Sequence, residues 1–285
     1  MNPIIKNIFY NRSLVIATMH KKEKVIQPLL ENALGVKVIV PENFDTDIFG
    51  TFSGEVERTV DPLEAARLKC KMASEKHSCT LALASEGSFG PHPSIPFVAG
   101  NDEIIVLIDY ENGLEFKVRK ITSQTNFRAE LFHHWNDAEN FAKSVLFPSH
   151  SLIIRNKKDG NERLVKGINA WDKLKSNAEA FLNAYGQFYL ETDMRAMHNP
   201  TRMGIIEETT KKLIEIINSI CPNCNTPGFN ITHAKSGLTC SQCGMPTQST
   251  LAYIYECQKC HFNKEELYPN GKQHEDPMYC NWCNP

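Results

Sequence analysis

Two rhythms of apolar residues run along the first 220 positions. Short unbroken runs rich in β-branched side chains, SLVIAT (13–18), VKVIV (36–40) and TLALAS (80–85), read as buried strands. Between them, apolar residues recur three and four apart. In KEKVIQPLLENALG (22–35) these are Val25, Ile26, Leu29, Leu30, Ala33 and Leu34, and Gly35 marks the helix end. Pro28 inside that pattern implies an irregular first turn. DPLEAARLKCKMASEK (61–76) opens with Asp61 as N-cap and Pro62 at the first helical position. EIIVLIDY (103–110) and LEFKVRKIT (114–122) flank Glu111–Asn112–Gly113, a hairpin signal. Further helical patterns span 168–186 and 204–220, and residues 122–188 receive no functional role. The alternation of strand and helix predicts an α/β domain, a mixed sheet with flanking helices, over residues 1–218.

Composition changes this picture little. The 285 residues are 41% hydrophobic and 22% charged, enough for a substantial core. A formal net charge of −2 argues against a surface built mainly to neutralise phosphates. No run approaches the roughly 20 apolar residues of a membrane-spanning helix. The N-terminal MNPIIKNIFYNRSLVIATMH lacks the basic and apolar regions of a signal peptide. The expected compartment is therefore cytoplasmic, where thiols stay reduced.

That matters because eight of the ten cysteines fall in the last 65 residues. They form four Cys-x-x-Cys knuckles: Cys221 with Cys224, Cys240 with Cys243, Cys257 with Cys260, and Cys280 with Cys283. Fifteen residues separate the first two knuckles and 19 the last two, spacings that suit four-cysteine zinc sites. The reading is a small zinc-ribbon module over residues 219–285 holding two structural zinc ions. Sequential pairing into two tandem ribbons is the expected arrangement, with an interleaved cross-brace as the alternative. The tail mixes Lys235, Lys259, Lys264 and Lys272 with Glu256, Glu265, Glu266, Glu275 and Asp276, so it is not a basic surface. A structural or protein-contact role is favoured over nucleic-acid binding. Cys70 and Cys79 read as core thiols.

Ligands of such sheets sit beyond the carboxyl ends of the strands. The first strand is followed by Thr18, His20, Lys21, Lys22 and Lys24, and the second by a loop bearing Asp45, Asp47, Glu55, Glu57 and Arg58. The third leads through Ser85 to Glu86, Gly87, Ser88, Gly90 and His92. Lysines at a helix N-terminus oppose the helix dipole and make better sense facing an anion such as phosphate. Carboxylates from two loops suggest a hard cation such as Mg²⁺. Glu86 is the most pointed of these, because a carboxylate closing a buried strand is unfavourable unless paired or metal-bound. A second polar cluster, YLETDMRAMHNPTRM (189–203), holds Asp193, Arg195, His198, Asn199 and Arg202. Its arginines could clamp phosphate or read a base edge; equally, the segment could be a helix, a turn at Asn199–Pro200 and ordinary ion pairs.

These runs together, ATMHKKEKVIQPLLENALGVKV, FDTDIFGTFSGEVERTVDPLEAARLK, LALASEGSFGPHPSIPF and TDMRAMHNPTRM with the terminal cysteine pairs, resemble an uncharacterised bacterial domain family of unknown function. The order of motifs is also similar to the inosine and xanthosine triphosphate pyrophosphatase superfamily. Ala17–Thr18–Met19–His20 with Lys22 or Lys24 stands at that family's first turn, whose asparagine is missing here. Glu57 precedes a helix with Ala65, Ala66 and Lys69; Ser85–Glu86–Gly87 resembles its acid-glycine strand end, and His198 to Arg202 is a loose echo of its His-Arg signature. That resemblance implies Mg²⁺-assisted hydrolysis of a nucleoside triphosphate or related phosphoanhydride. Glu57 and Glu86 would hold the metal or orient water. Lys22 or Lys24, with Lys69, would neutralise phosphate, and Arg195 and Arg202 would contact base or phosphate. Two other classes stand beside it: a non-enzymatic module that senses a phosphorylated ligand or a protein, and a zinc-ribbon nucleic-acid binder.

Overall fold

The computed structural model describes residues 2–41, 60–158 and 162–285. The chain divides into two compact units, Phe9–Leu213 and Ile214–Pro285, the residues before Phe9 belonging with the latter.

Helix α1 (Pro3–Phe9) leads to strand β1 (Ser13–Ala17), helix α2 (Glu23–Leu34) and strand β2 (Lys37–Ile39). Gly35 ends α2 in the left-handed conformation (φ 66°), as its place after the last periodic leucine predicts. Helix α3 (Pro62–His77) starts as expected, the Asp61 carboxylate accepting from the Leu63 amide at 2.9 Å. Strands β3 (Leu81–His92), β4 (Ile95–Asp109) and β5 (Leu114–Thr122) complete a five-stranded sheet of order β2-β1-β3-β4-β5. The first three strands run parallel and the last two antiparallel, so the sheet is mixed as the sequence implies. Ala66, Cys70 and Ala73 of α3 pack on Val15, Ala17, Ala82, Ala84, Ile104 and Val106. Leu14, Ile16, Leu83, Ile105 and Leu107 are also fully buried. Burial on both faces is why these strands read as unbroken apolar runs.

The expected strand end at Ser85 is corrected: β3 continues seven residues further, to His92. Glu86 pairs across to Ile104 and Pro91 to Ala99, so Glu86 lies in mid-strand and Gly87 to His92 belong to a long hairpin with β4. The glycines and proline are tolerated because β1 stops at Ala17, opposite Ala84, leaving that side of β3 without a strand partner.

Residues 122–188 hold most of a second layer. Strands β6 (Ala129–Phe132), β7 (Leu152–Arg155), β8 (Leu164–Ile168) and β9 (Phe188–Thr192) form an antiparallel sheet of order β6-β9-β7-β8, with helices α4 (Trp135–Ser144) and α5 (Trp171–Tyr185). Phe132, Phe141, Phe181, Phe188, Leu152 and Ile154 share its core. Four-residue and five-residue strands are too short to show a period, which is why the sequence hid them. Helix α6 (Pro200–Asn218) begins four residues before the expected Gly204. The Asn199 side-chain oxygen caps the Arg202 amide at 3.0 Å, and Pro200 takes the first helical position.

In the C-terminal unit, strands β10 (Asn230–Ser236), β11 (Thr250–Glu256) and β12 (Asn263–Leu267) make a three-stranded antiparallel sheet. Among the described residues no helix is long and apolar enough to cross a membrane.

Candidate functional site

The chemistry of residues 9–213 gathers where β1 runs out. Past the Ala17–Ala84 pair, Ser85 has no β1 neighbour, and the Lys22 ammonium fills the gap. It donates to the Ser85 carbonyl and to the Ser85 hydroxyl, each at 2.9 Å, and lies 3.5 Å from a Glu103 carboxylate oxygen. Strand alternation puts Ser85 and Gly87 on one face, and Glu103 stands opposite Gly87 on β4. Arg202 of α6 reaches that face, its Nε donating to Glu103 at 3.2 Å and its Nη1 to the Met194 carbonyl at 2.6 Å. Its guanidinium carbon lies 5.2 Å from the Phe89 ring centroid. Gly87 makes the approach possible: a Cβ there would meet both the Arg202 guanidinium and the Glu103 carboxylate.

Glu86 and Ser88 project to the opposite face. Glu86 forms a buried ion pair with Lys69 of α3, and Ser88 is half-buried opposite Asp102. The two groups of charges still feel one another past the end of β1. Burial pushes the Lys22 amine down to about 8, with Glu103 and Glu86 opposing and Arg202 and Lys69 adding to the shift. Lys22, Lys69, Arg202, Glu86 and Glu103 are all buried, so among the described residues this lattice holds three cations against two carboxylates.

His20 lies beside it, pushed down to about 3 by burial and then by Lys22, Arg202 and Arg195, with Asp193 opposing. The imidazole is therefore neutral at physiological pH. Asp193, fully buried, binds Arg195 through Nε at 3.0 Å and Nη2 at 2.6 Å. Thr18 is buried, and its hydroxyl has no hydrogen-bond partner among the described residues.

Outside this lattice a cleft of about 560 Å³ is lined by Lys21, Lys24, Ser149, Ser151, Asn169, Met197, His198, Met203 and Glu207, within the usual range for small-ligand sites. Lys21 adopts the left-handed conformation (φ 57°), strained for a side chain with a Cβ. His198 Nδ1 is 3.2 Å from the Ser151 hydroxyl, and burial lowers its pKa. His150 secures the loop across the cleft, its Nε2 accepting from the Thr201 amide at 3.2 Å; its Nδ1 is 3.0 Å from the Ser149 hydroxyl.

The structure thus brings Thr18, His20, Lys22, Ser85, Gly87, Asp193, Arg195 and Arg202 to one neighbourhood and places Lys24 and His198 on the cleft. Asn199 is spent on capping α6 and on Asn126, 2.8 Å from its amide nitrogen. Glu55, Glu57 and Arg58 lie outside the described residues, as do Asp45 and Asp47. Sequence reasoning missed Glu103, Asn101, Ser151 and Asn169. Glu103 and Asn101 had a signal: polar residues two apart, just before the apolar run 104–108. Asn101 is 1% exposed, and neither polar atom of its side chain has a partner among the described residues. Among the described residues no group of carboxylates converges there as a cation site, and only the two cysteine sets bring together ligand atoms that could hold a metal ion.

Those sets join the first knuckle to the third and the second to the fourth. This corrects the sequential pairing expected from linker lengths. The topology requires it: β10, β11 and β12 each lead from one knuckle to the next. Three antiparallel strands therefore return the third knuckle to the first and the fourth to the second. Seven residues of β10 separate the two ends by about 23 Å. Between knuckles, sulfurs stand 3.8 Å (Cys221–Cys260), 3.5 Å (Cys224–Cys257), 3.9 Å (Cys240–Cys283) and 3.6 Å (Cys243–Cys280) apart, and all four of a set lie within 4.8 Å of one another. A tetrahedron with metal–sulfur bonds of about 2.3 Å has edges of about 3.8 Å, so each set fits one tetrahedral ion. The knuckles share one turn: Asn225, Gly244, His261 and Asn284 each donate to the carbonyl of a knuckle's first cysteine, at 2.8 to 3.0 Å.

Fold and sites define a mixed α/β protein with two C-terminal four-cysteine sets, each of which could hold a metal ion. The family model described as Domain of unknown function (DUF6671) matches residues 69–285, and the chain belongs to that family. No curated protein matches. Among solved structures, the chain is similar to protein VC0702 from Vibrio cholerae at 9% identity and a TM-score of 0.28, over 39% of this chain and 63% of that one. It thus spans less than two thirds of that protein.

Proposed function

We propose that the α/β unit binds a phosphorylated small molecule of the nucleotide class at the cleft beside the end of β1, and that the two cysteine sets hold structural zinc. The observation that supports ligand binding is uncompensated positive charge. The buried lattice has one more cation than carboxylate among the described residues. Among the described residues Lys21 and Lys24, on the cleft, have no carboxylate partner, while Glu207 is taken by Lys211 at 2.6 Å. Buried charge without compensation is unfavourable, and a phosphate group would relieve it. The resemblance of the motif order to the inosine and xanthosine triphosphate pyrophosphatases would extend this reading to hydrolysis of a phosphoanhydride, with Glu57 and Glu86 serving Mg²⁺ or the attacking water. The engagement of Glu86 by Lys69, and of Glu103 by Arg202 and Lys22, favours a second reading: binding without turnover.

Thermal unfolding with inorganic phosphate, nucleoside mono-, di- and triphosphates and deaminated triphosphates separates these readings. Ligand-dependent stabilisation that is lost in a Lys21→Ala/Lys24→Ala variant supports binding, and its absence with every compound sinks it. Release of phosphate or pyrophosphate with Mg²⁺ distinguishes the hydrolase from the sensor. For the cysteine sets, two zinc ions per chain by elemental analysis is the expected result.

A further inference from the structure

The two cysteine sets share their chemistry and differ in how they treat neighbouring apolar side chains. At the first, Phe229 turns inward, while Phe262 is 37% exposed. Phe229 is buried in a cluster with Cys221 and Cys257, its ring centroid 5.7 Å from Tyr255 and 5.8 Å from Phe262. At the second, four large side chains turn outward. Met245, Met278, Tyr279 and Trp282 are 39%, 59%, 58% and 69% exposed. Each lies within two residues of a ligand cysteine, on the two knuckles that converge on one four-sulfur set. A module this small ordinarily needs its large apolar residues for its own core. Turning four of them to solvent around one ion marks a contact surface.

Local charge indicates what the surface contacts. The second set's knuckles, Cys-Ser-Gln-Cys and Cys-Asn-Trp-Cys, contain no lysine or arginine, whereas Lys259 sits inside a knuckle of the first. Four thiolates on a divalent ion leave a net dianion. Asp276 is exposed and accepts from the Met278 amide at 2.8 Å, so a further carboxylate adjoins the patch, while Glu275, bridged to Cys240 through the backbone, is buried. Lys272 stands 3.4 Å from Glu275. A nucleic-acid backbone would meet like charge here.

We infer that Met245, Met278, Tyr279 and Trp282 dock a basic protein segment, in which lysine or arginine alternates with apolar side chains. The apolar groups cover the methionines, the cations face Asp276 and the thiolate dianion, and guanidinium groups stack on Tyr279 and Trp282. This does not depend on what the α/β unit binds.

The test is binding to the full-length, metal-loaded protein, followed by calorimetry and tryptophan fluorescence. The probes are two synthetic peptides with the same apolar residues, one carrying lysine and arginine and the other glutamate, and a single-stranded oligonucleotide. The basic peptide is expected to bind. Its affinity should fall about tenfold in Trp282→Ala and again in Met278→Ser, the scale of a central contact residue. Both variants should keep two metals by native mass spectrometry; Met278→Ser, the milder change, carries the test if Trp282→Ala loses metal. Equal binding of the acidic peptide, preference for the oligonucleotide, no binding at all, or self-association that Trp282→Ala abolishes would each overturn the inference.

Discussion

Arg202 and Glu103 pair with neither side chain exposed to solvent, 3.2 Å apart at their closest, across a space left open by a glycine. Glu103 also faces Lys22, so one carboxylate serves two buried cations.

Gly87→Ala places a methyl group against both partners. Separating a buried ion pair costs about 3–5 kcal/mol, and the variant should lose stability on that scale in urea unfolding. Gly90→Ala, in the same strand with open space at its Cβ position, should stay within about 0.5 kcal/mol of the parent.

Glu103→Gln leaves Arg202 and Lys22 without their shared carboxylate. A loss of about 3–5 kcal/mol is expected. Pairing it with Arg202→Met should recover part of that loss. A double-mutant cycle showing simple additivity would contradict the direct coupling seen between the two residues.

Stability should depend on pH through His20. Its pKa is about 3 in the folded chain against an ordinary 6.5, so between those values the unfolded chain binds a proton that the folded chain refuses. Stability is therefore full above pH 6.5 and falls on acidification toward pH 3, by up to about 1.4 kcal/mol per pH unit. Lys22, lowered from 10.5 to about 8, acts in the alkaline range: the folded chain releases its proton first, so stability rises from pH 8 to 10.5. Urea midpoints across pH should show both slopes. His20→Gln should flatten the acid limb, and Lys22→Met the alkaline one.

The knuckle pairing can be read from metal stoichiometry. Cys221→Ser with Cys257→Ser strikes one set, so one metal should remain; Cys221→Ser with Cys240→Ser strikes both, and none should. Sequential pairing would reverse the two outcomes.

Much of the fold was legible because its signals are local. The Asp61–Pro62 start of α3, Gly35 after α2 and the buried runs of β1 and β3 each lie within a few consecutive residues. The second sheet was not legible, because AELF, LIIR, LVKGI and FYLET are too short for a period and are stabilised by partners distant in sequence. In the candidate site, three polar segments, at 18–22, 85–87 and 193–202, could be picked out by composition. Their common neighbourhood depends on where β1 stops and on how far α6 reaches.

By itself the sequence determined the eight cysteines of the two four-sulfur sets, because a Cys-x-x-Cys turn aims its own two sulfurs whatever surrounds it. It also determined the α/β layer, because hydrophobic period follows backbone geometry. Only the tertiary structure decided which knuckles share an ion, since that depends on the number and direction of the strands between them. It alone decided that Glu86 faces Lys69 while Glu103 faces Arg202, because neighbouring strand residues point to opposite faces and the partners come from elements far away in the chain.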